Sequence, residues 1–188
     1  MRDPDMATQA LVAAFKRIRD ERMDGVPILN ARLEVEAVGT RVWNGSTLTV
    51  LITPWFINLM LLPGSAEQAE GWNALTLTSG VLHRFPAGRF DFLVGEEAGV
   101  GRYQMCSLFS PVLEFEDQEA ARIASMAALD ALFDASLDPA AEKKADVATG
   151  TESAPENADA SPINVATPIE PSRRGFLSGR LAPREGSA

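Results

Sequence analysis

With 188 residues, 46% of them hydrophobic and a mean hydropathy of −0.03, the chain has the length and apolar content for one globular domain plus a tail. A formal net charge of −9 and a pI near 4.7 argue against a nucleic-acid groove, which needs a clustered basic surface. One cysteine, Cys106, and one histidine, His83, cannot build a disulfide framework or a zinc or iron–sulfur site within the chain, so no metal and no cofactor are expected. A lone thiol fits a reducing compartment, and the cytoplasm is the expected location. The N-terminus has no apolar signal region, and the longest apolar run, Leu48 to Leu62, is interrupted and shorter than the roughly 18 residues a membrane span needs.

Asp3-Pro4 reads as a helix start, a capping side chain followed by a proline whose missing N–H is harmless in the first turn. Leu11, Phe15, Ile18 and Arg22 share one row of an amphipathic helix running to about Met23, where Gly25 and Pro27 end it. From Leu33 the period changes to two. Leu33, Val35 and Ala37 alternate with Glu34 and Glu36, Asn44-Gly45 offers a type I′ hairpin turn, and Leu48, Val50 and Ile52 alternate with Thr47 and Thr49 in the return strand.

The stretch from Leu51 to Gly64 fits neither period, and Pro54 removes a backbone donor near its start. It is therefore not expected to be an ordinary central strand, and the chain is expected to leave the sheet at Pro54. With Trp55 and Phe56 beside a forced turn, it is either a deep corner of the core or a surface covered by another molecule. A polar loop follows to about Gly71, and then Leu75, Leu77 and Val81 suggest a strand broken at Ser79-Gly80. Phe85-Pro86-Ala87-Gly88 is a tight turn into a strand with Phe90, Phe92 and Val94. Glu96 to Gly101 is another turn, and Tyr103 to Phe109 a further strand. From about Glu116 the pattern is helical, with Ile123, Met126, Leu129, Leu132 and Phe133 as a core stripe packed on the sheet beside the first helix. The expected class is α+β, an antiparallel sheet flanked by N- and C-terminal helices, over residues 1–137.

Composition then changes. Residues 138–171 are rich in Ala, Pro, Ser and Thr and carry seven acids against two lysines, which reads as a disordered, solvated linker. Residues 172–188 reverse the charge, with Arg173, Arg174, Arg180 and Arg184 against Glu185, and present Phe176 and Leu177. That combination is either a short docking motif on a tether or a chain end with chance arginines.

Catalytic chemistry finds little footing. Gly99-Val100-Gly101 lacks the following Gly-Lys-Ser/Thr of a phosphate loop. His83 reads as a solvated or core-edge ring, and Cys106 as a small buried hydrophobe or a thiol that meets a partner's metal or redox centre. The chain is not expected to be an enzyme.

Two long segments, Leu51-Ile-Thr-Pro-Trp-Phe-Ile-Asn-Leu-Met-Leu-Leu-Pro-Gly64 and Gly101-Arg-Tyr-Gln-Met-Cys-Ser-Leu-Phe-Ser-Pro111, closely resemble the signature blocks of the HybE/HupJ/HoxT family of nickel-iron hydrogenase assembly chaperones. The likeness continues through Val35 to Gly39, Phe85 to Phe90 and Phe109 to Phe115, and the arginine-rich end also looks like that of the family. The resemblance implies a cytoplasmic, non-catalytic helper with a secretion-chaperone-like fold. It would bind a hydrogenase small-subunit precursor, or the large subunit, before twin-arginine export. Some relatives carry a fused rubredoxin module with paired Cys-x-x-Cys ligands, and this chain has no such pair.

On that basis Trp55, Phe56, Asn58 and Leu59, with Gln104, Cys106, Ser107 and Phe109, are the candidates for a partner-facing surface, aromatic anchors beside a few polar groups. Ser172-Arg-Arg-Gly-Phe-Leu-Ser178 resembles the core of a twin-arginine signal but has no apolar region after it. Arg173, Arg174, Phe176 and Leu177 are thus expected to imitate a partner's signal peptide, or to dock on the hydrogenase or the translocase receptor. Two other readings stay open: a small-molecule or metal-handling accessory using Cys106 and His83, and a secretion-type chaperone for another exported client.

Overall fold

Helix α1 (Pro4–Arg22) begins where Asp3 accepts a hydrogen bond from the Asp5 N–H at 2.9 Å, with Pro4 in its first turn. It is followed, in a computed structural model that describes residues 2–139, by β1 (Glu36–Trp43), β2 (Ser46–Ile52), β3 (Ile57–Leu62), α2 (Ala66–Asn73), β4 (Gly80–Phe85), β5 (Gly88–Glu97), β6 (Gly101–Phe109) and α3 (Gln118–Ala131). A single turn of 3₁₀ helix, Ala135–Leu137, closes the described chain. The linker beyond Pro139 and the arginine-rich segment lie outside the described residues.

The six strands form one antiparallel sheet in the order β1-β2-β3-β6-β5-β4. The first hairpin is the one its residues predict: Asn44 and Gly45 both take positive φ (46° and 76°), as a type I′ turn requires, and Trp43 pairs with Ser46. The second hairpin corrects the reading of Leu51–Gly64. Ile52 pairs with Ile57, so Pro54 sits in the loop and the chain returns at once into β3, a central strand in which every residue is buried. Thr53 closes this turn with its side chain, whose Oγ1 accepts from the Phe56 N–H at 2.9 Å and donates to the Phe56 carbonyl at 2.8 Å. No alternation is visible in β3 because both of its faces are covered.

One face carries Leu48, Val50, Ile52, Leu59, Leu61 and Phe92, packed under Ala121, Leu129 and Leu132 of α3 and just beyond it. The other carries Leu51, Met60, Leu62 and Tyr103 under Leu11, Ala14 and Phe15 of α1. The helices therefore lie on opposite faces, not side by side as their patterns suggested. The α3 stripe shifts accordingly: Ala121, Ser125 and Leu129 are buried, whereas Ile123 is 63% exposed and Met126 lies at the rim. Two smaller differences are that Ser65 caps a short helix in the expected polar loop, and that Leu75 and Leu77 precede β4 without joining it.

The sheet curls until its two edges meet. Trp43 of β1 stacks on Phe85 of β4 with centroids 4.0 Å apart, and Phe85 also touches Phe90, Phe92 and Phe133. The α3 side is thus the concave face and the α1 side the convex one. Two glycines permit close approaches. At Gly39, in the β1 bulge, a Cβ would overlap a Leu129 methyl group, and at Gly95 it would enter the Tyr103 ring.

Gly39→Ala combines that overlap with a φ of +65°, and is expected to destabilise the domain by about 2–3 kcal/mol in urea unfolding. Tyr103 is the only tyrosine, and burial, then the charge of Glu97, raise its phenol above the ordinary 10.0. Near-ultraviolet titration should show phenolate appearing later than in free tyrosine. Because the folded pKa is the raised one, the neutral phenol's contribution is whole below the unfolded value and is lost as pH rises through the folded value.

Candidate protein-binding surface

β3 and β6 are neighbours in the sheet, so the two segments that hold the predicted partner residues lie side by side: Asn58 pairs with Ser107, Leu59 with Cys106, Leu61 with Gln104 and Ile57 with Phe109. Alternation then divides them between the two faces. Leu59, fully buried, and Cys106, half-buried, point to the concave core, and Gln104, 2% exposed, accepts through Oε1 from His83 Nε2 at 2.6 Å. His83 lies edge-on to Trp43 and Phe92, a core-edge ring held in the closure of the sheet. Phe109 meets Phe115 edge to face at 5.3 Å. Trp55, 9% exposed, packs on Phe15 and Phe56 beneath α1. Of the predicted set, Leu59, Gln104 and Trp55 therefore serve the core in this structure, because two helices cover the strands that carry them.

The convex face has an open half. Helix α1 contacts β1 and β2, and its Phe15 reaches Trp55, Phe56 and Tyr103. Its C-terminal half is tied by Arg22 to the buried Glu97 at 3.2 Å and by Arg17 to the Ala98 carbonyl at 2.7 Å. Beyond that line the register places Met105 opposite Leu93, and Leu82 diagonal to Leu93 through the Leu82–Asp91 pair. Leu82 is 54% and Leu93 47% exposed, with Met105 half-buried between Leu93 and Met60, and Ser107 exposed next along β6. The result is an apolar strip across β4, β5 and β6 on the half of the convex face that, among the described residues, no helix covers.

Asn58 forms the inner border of the strip. It is only 5% exposed, its amide nitrogen makes a 3.7 Å contact with Met105 Sδ, and its Oδ1 is buried without a hydrogen-bond partner among the described residues. A buried orphan acceptor costs about 1–3 kcal/mol, so a polar side chain here asks for a donor the domain does not supply. Phe56, two residues back, is partly buried against Phe15 and Trp55 and lies between the strip and the β2–β3 turn.

The end of the sheet beside that turn is held by Asn30, which the sequence reading missed. Its side-chain amide donates to the Val112 carbonyl (3.0 Å) and the Phe115 carbonyl (2.8 Å), its Oδ1 accepts from the Arg32 N–H, and its backbone N–H donates to the Pro54 carbonyl at 2.8 Å. One asparagine thus staples three loops, a role with no periodic signature. Leu93 did leave a trace: it is an apolar residue in the wet phase of β5, between Phe92 and Val94. Among the described residues no group of three His, Cys, Asp or Glu side chains could hold a metal ion, and no helix is long and apolar enough to cross a membrane.

A curled antiparallel sheet held between α1 and α3 on opposite faces, with a one-sided apolar strip as a conspicuous surface feature, defines a small α+β protein with a surface suited to binding another protein. The family model described as "[NiFe]-hydrogenase assembly, chaperone, HybE" matches residues 6–179, and the chain belongs to that family. The hydrogenase expression/formation protein HupJ of Bradyrhizobium diazoefficiens is 36% identical over 178 residues, which cover 94% of this chain and 89% of the relative. The probable rubredoxin HupJ of Rhodobacter capsulatus is 36% identical over 145 residues, 76% of this chain and 50% of that longer relative. The solution structure of HybE from Escherichia coli matches with a TM-score of 0.54 at 20% identity, covering 85% of this chain and 91% of that one, and so shares the fold.

Asn30→Ala would remove the side-chain donor of the Phe115 carbonyl and leave the Val112 carbonyl with the Phe115 N–H alone, and should lower stability by about 1–3 kcal/mol in chemical denaturation. Amide exchange should accelerate first in residues 53–56 and 112–117, the segments it joins.

Proposed function

We propose that this protein is a cytoplasmic, non-catalytic chaperone that holds a hydrogenase subunit precursor on the convex strip formed by Leu82, Leu93, Met105, Ser107 and Asn58. The observation that carries the reading is the pairing of exposed apolar side chains with a buried, unpartnered acceptor at Asn58 Oδ1. Apolar area gives affinity, and an acceptor that is satisfied only in the complex gives registry. The family and the relatives concerned with hydrogenase formation supply the client class. A small-subunit precursor that still carries its twin-arginine signal is the client of choice, since obligate subunit interfaces are apolar as a class and stay uncovered until the partner subunit joins.

The predicted partner set contracts accordingly. Asn58 and Ser107 stay as contact residues and Phe56 extends the surface. Trp55, Leu59 and Gln104 hold the strands in place, while Cys106 and Phe109 lie toward the concave side.

Leu93→Asp and Leu82→Asp, made singly in the full chain, should each weaken capture of the precursor about tenfold or more. Both residues are about half exposed, so the melting temperature should move by no more than about 2 °C. Mass spectrometry of the co-purified material should find a hydrogenase subunit still carrying its signal peptide. Undiminished capture by both variants would place the client elsewhere on the domain.

A further inference from the structure

We infer that the part of the client lying on the strip is an apolar segment with a carboxylate that Arg89 holds, and that the basic stretch of a twin-arginine signal is not what lies there. The inference rests on reading the strip as the client surface, and adds the chemistry of the segment that this surface selects. Alternation along β5 puts Leu93, Asp91 and Arg89 on the convex face in steps of about 7 Å, and the register sets Arg84 of β4 directly opposite Arg89. Like charges opposite one another in a sheet repel, so each guanidinium needs an acid. Arg84 has one, the Asp138 carboxylate at 2.6 Å, and still stays 57% exposed. Arg89 is exposed and makes no ion pair among the described residues, although Asp91 stands one step along the same strand. Residues 2–139 hold 19 Asp and Glu against 11 Lys and Arg, so what Arg89 lacks is a well-placed acid, in a domain rich in them.

Two unmet polar groups thus border the apolar side chains, the Arg89 guanidinium on β5 and the buried Asn58 Oδ1 on β3. β6 alone separates those strands, so the groups are on the order of 10–15 Å apart, a distance an extended chain covers in about four residues. Leu82 and Arg89 are diagonal neighbours across the β4–β5 pair, about 7–8 Å apart. An apolar side chain resting on Leu82 therefore brings a carboxylate two residues further along an extended segment over Arg89. There it accepts two N–H bonds from the guanidinium, while an N–H of the same segment supplies the donor that Asn58 lacks. Apolar contact with Leu82, Leu93 and Met105 gives affinity, and Arg89 sets the sign of the charge that is admitted. A segment with paired arginines meets like charge at Arg84 and Arg89 and is turned away, so the precursor engages the strip with its body and leaves its signal free.

The test measures binding of two labelled synthetic peptides to the full chain by fluorescence anisotropy. One is a short extended peptide with leucines at alternate positions and an aspartate two residues after the last of them, and the other has lysine in place of the aspartate. The aspartate peptide should bind about tenfold more tightly at low ionic strength, with the gap closing as salt is raised. Arg89→Ala removes an exposed side chain and a cross-strand repulsion, so it should not lower the melting temperature, and it should bring the two affinities within about twofold of each other. Equal binding of the two peptides by the unaltered chain, or binding of neither, overturns the inference, and tighter binding of the lysine peptide gives the strip to a basic segment instead. A full chain that sediments as a dimer and becomes monomeric on Leu93→Asp gives it to a second copy, which also overturns the inference. Precursor capture on the same proteins separates the two claims. Capture lost on Leu93→Asp with the peptides bound equally refutes only the carboxylate preference. Capture indifferent to Leu93→Asp, with the aspartate peptide preferred and its binding lost in that variant, refutes the client reading and leaves the strip selective for an acidic, apolar segment of another protein.

Discussion

A central strand with no polar side imposes the layered construction of this protein. All six residues of β3 are buried, so both faces of the sheet at its middle must be taken out of water. Helix α1 meets the requirement on one side through Leu11, Ala14 and Phe15, and α3 on the other through Ala121 and Leu129. The chain supplies these helices at its two ends, with the whole sheet between them, and polar ties then hold each one: Glu97 receives Arg22 from α1, and Glu36 receives Arg122 from α3 at 2.9 Å.

The curl of the sheet determines what is left open. Stacking of Trp43 on Phe85 draws the edge strands together over the concave face, which fills with aromatic rings. Curling narrows that face and widens the opposite one. A helix of 19 residues, about 28 Å long, lies along one half of the widened surface, and β4, β5 and β6 turn their other side chains outward beyond it. The strip is thus a geometric remainder of closure, and Leu82, Leu93 and Met105 make that remainder apolar. Asn58 is buried beside Met105 at the inner border of the strip, and its Oδ1 has no donor among the described residues.

For an assembly chaperone this arrangement separates duties. Stability resides in the two-sided core and in loop staples such as Asn30, whereas Leu82 and Leu93 of the strip stay about half exposed. Asp138, near the end of the described residues, is held by Arg84, two residues from Leu82 on β4.

Much of the fold was legible in the residues themselves. Asp3-Pro4 started a helix, Asn44-Gly45 made its hairpin, and Phe85 to Gly88 made the next turn, because capping and turn chemistry act over two to four residues. The signature segments also pointed to the right family. Pairing between distant strands was not legible, and it decided the rest. Leu51–Gly64 looked like neither helix nor strand because periodicity reports one wet face, and this segment has none. The predicted partner residues shared two segments but not one face, since alternation across the β3–β6 pair sends Asn58 and Ser107 outward to the convex side and Leu59 and Cys106 inward. Ile123 looked like core and is exposed, because the sheet takes the Ala121-Ser125-Leu129 row of α3. Local backbone chemistry was thus determined by the sequence alone, while which apolar residues stay uncovered was decided only by the curl of the sheet and by how much of it each helix can cover.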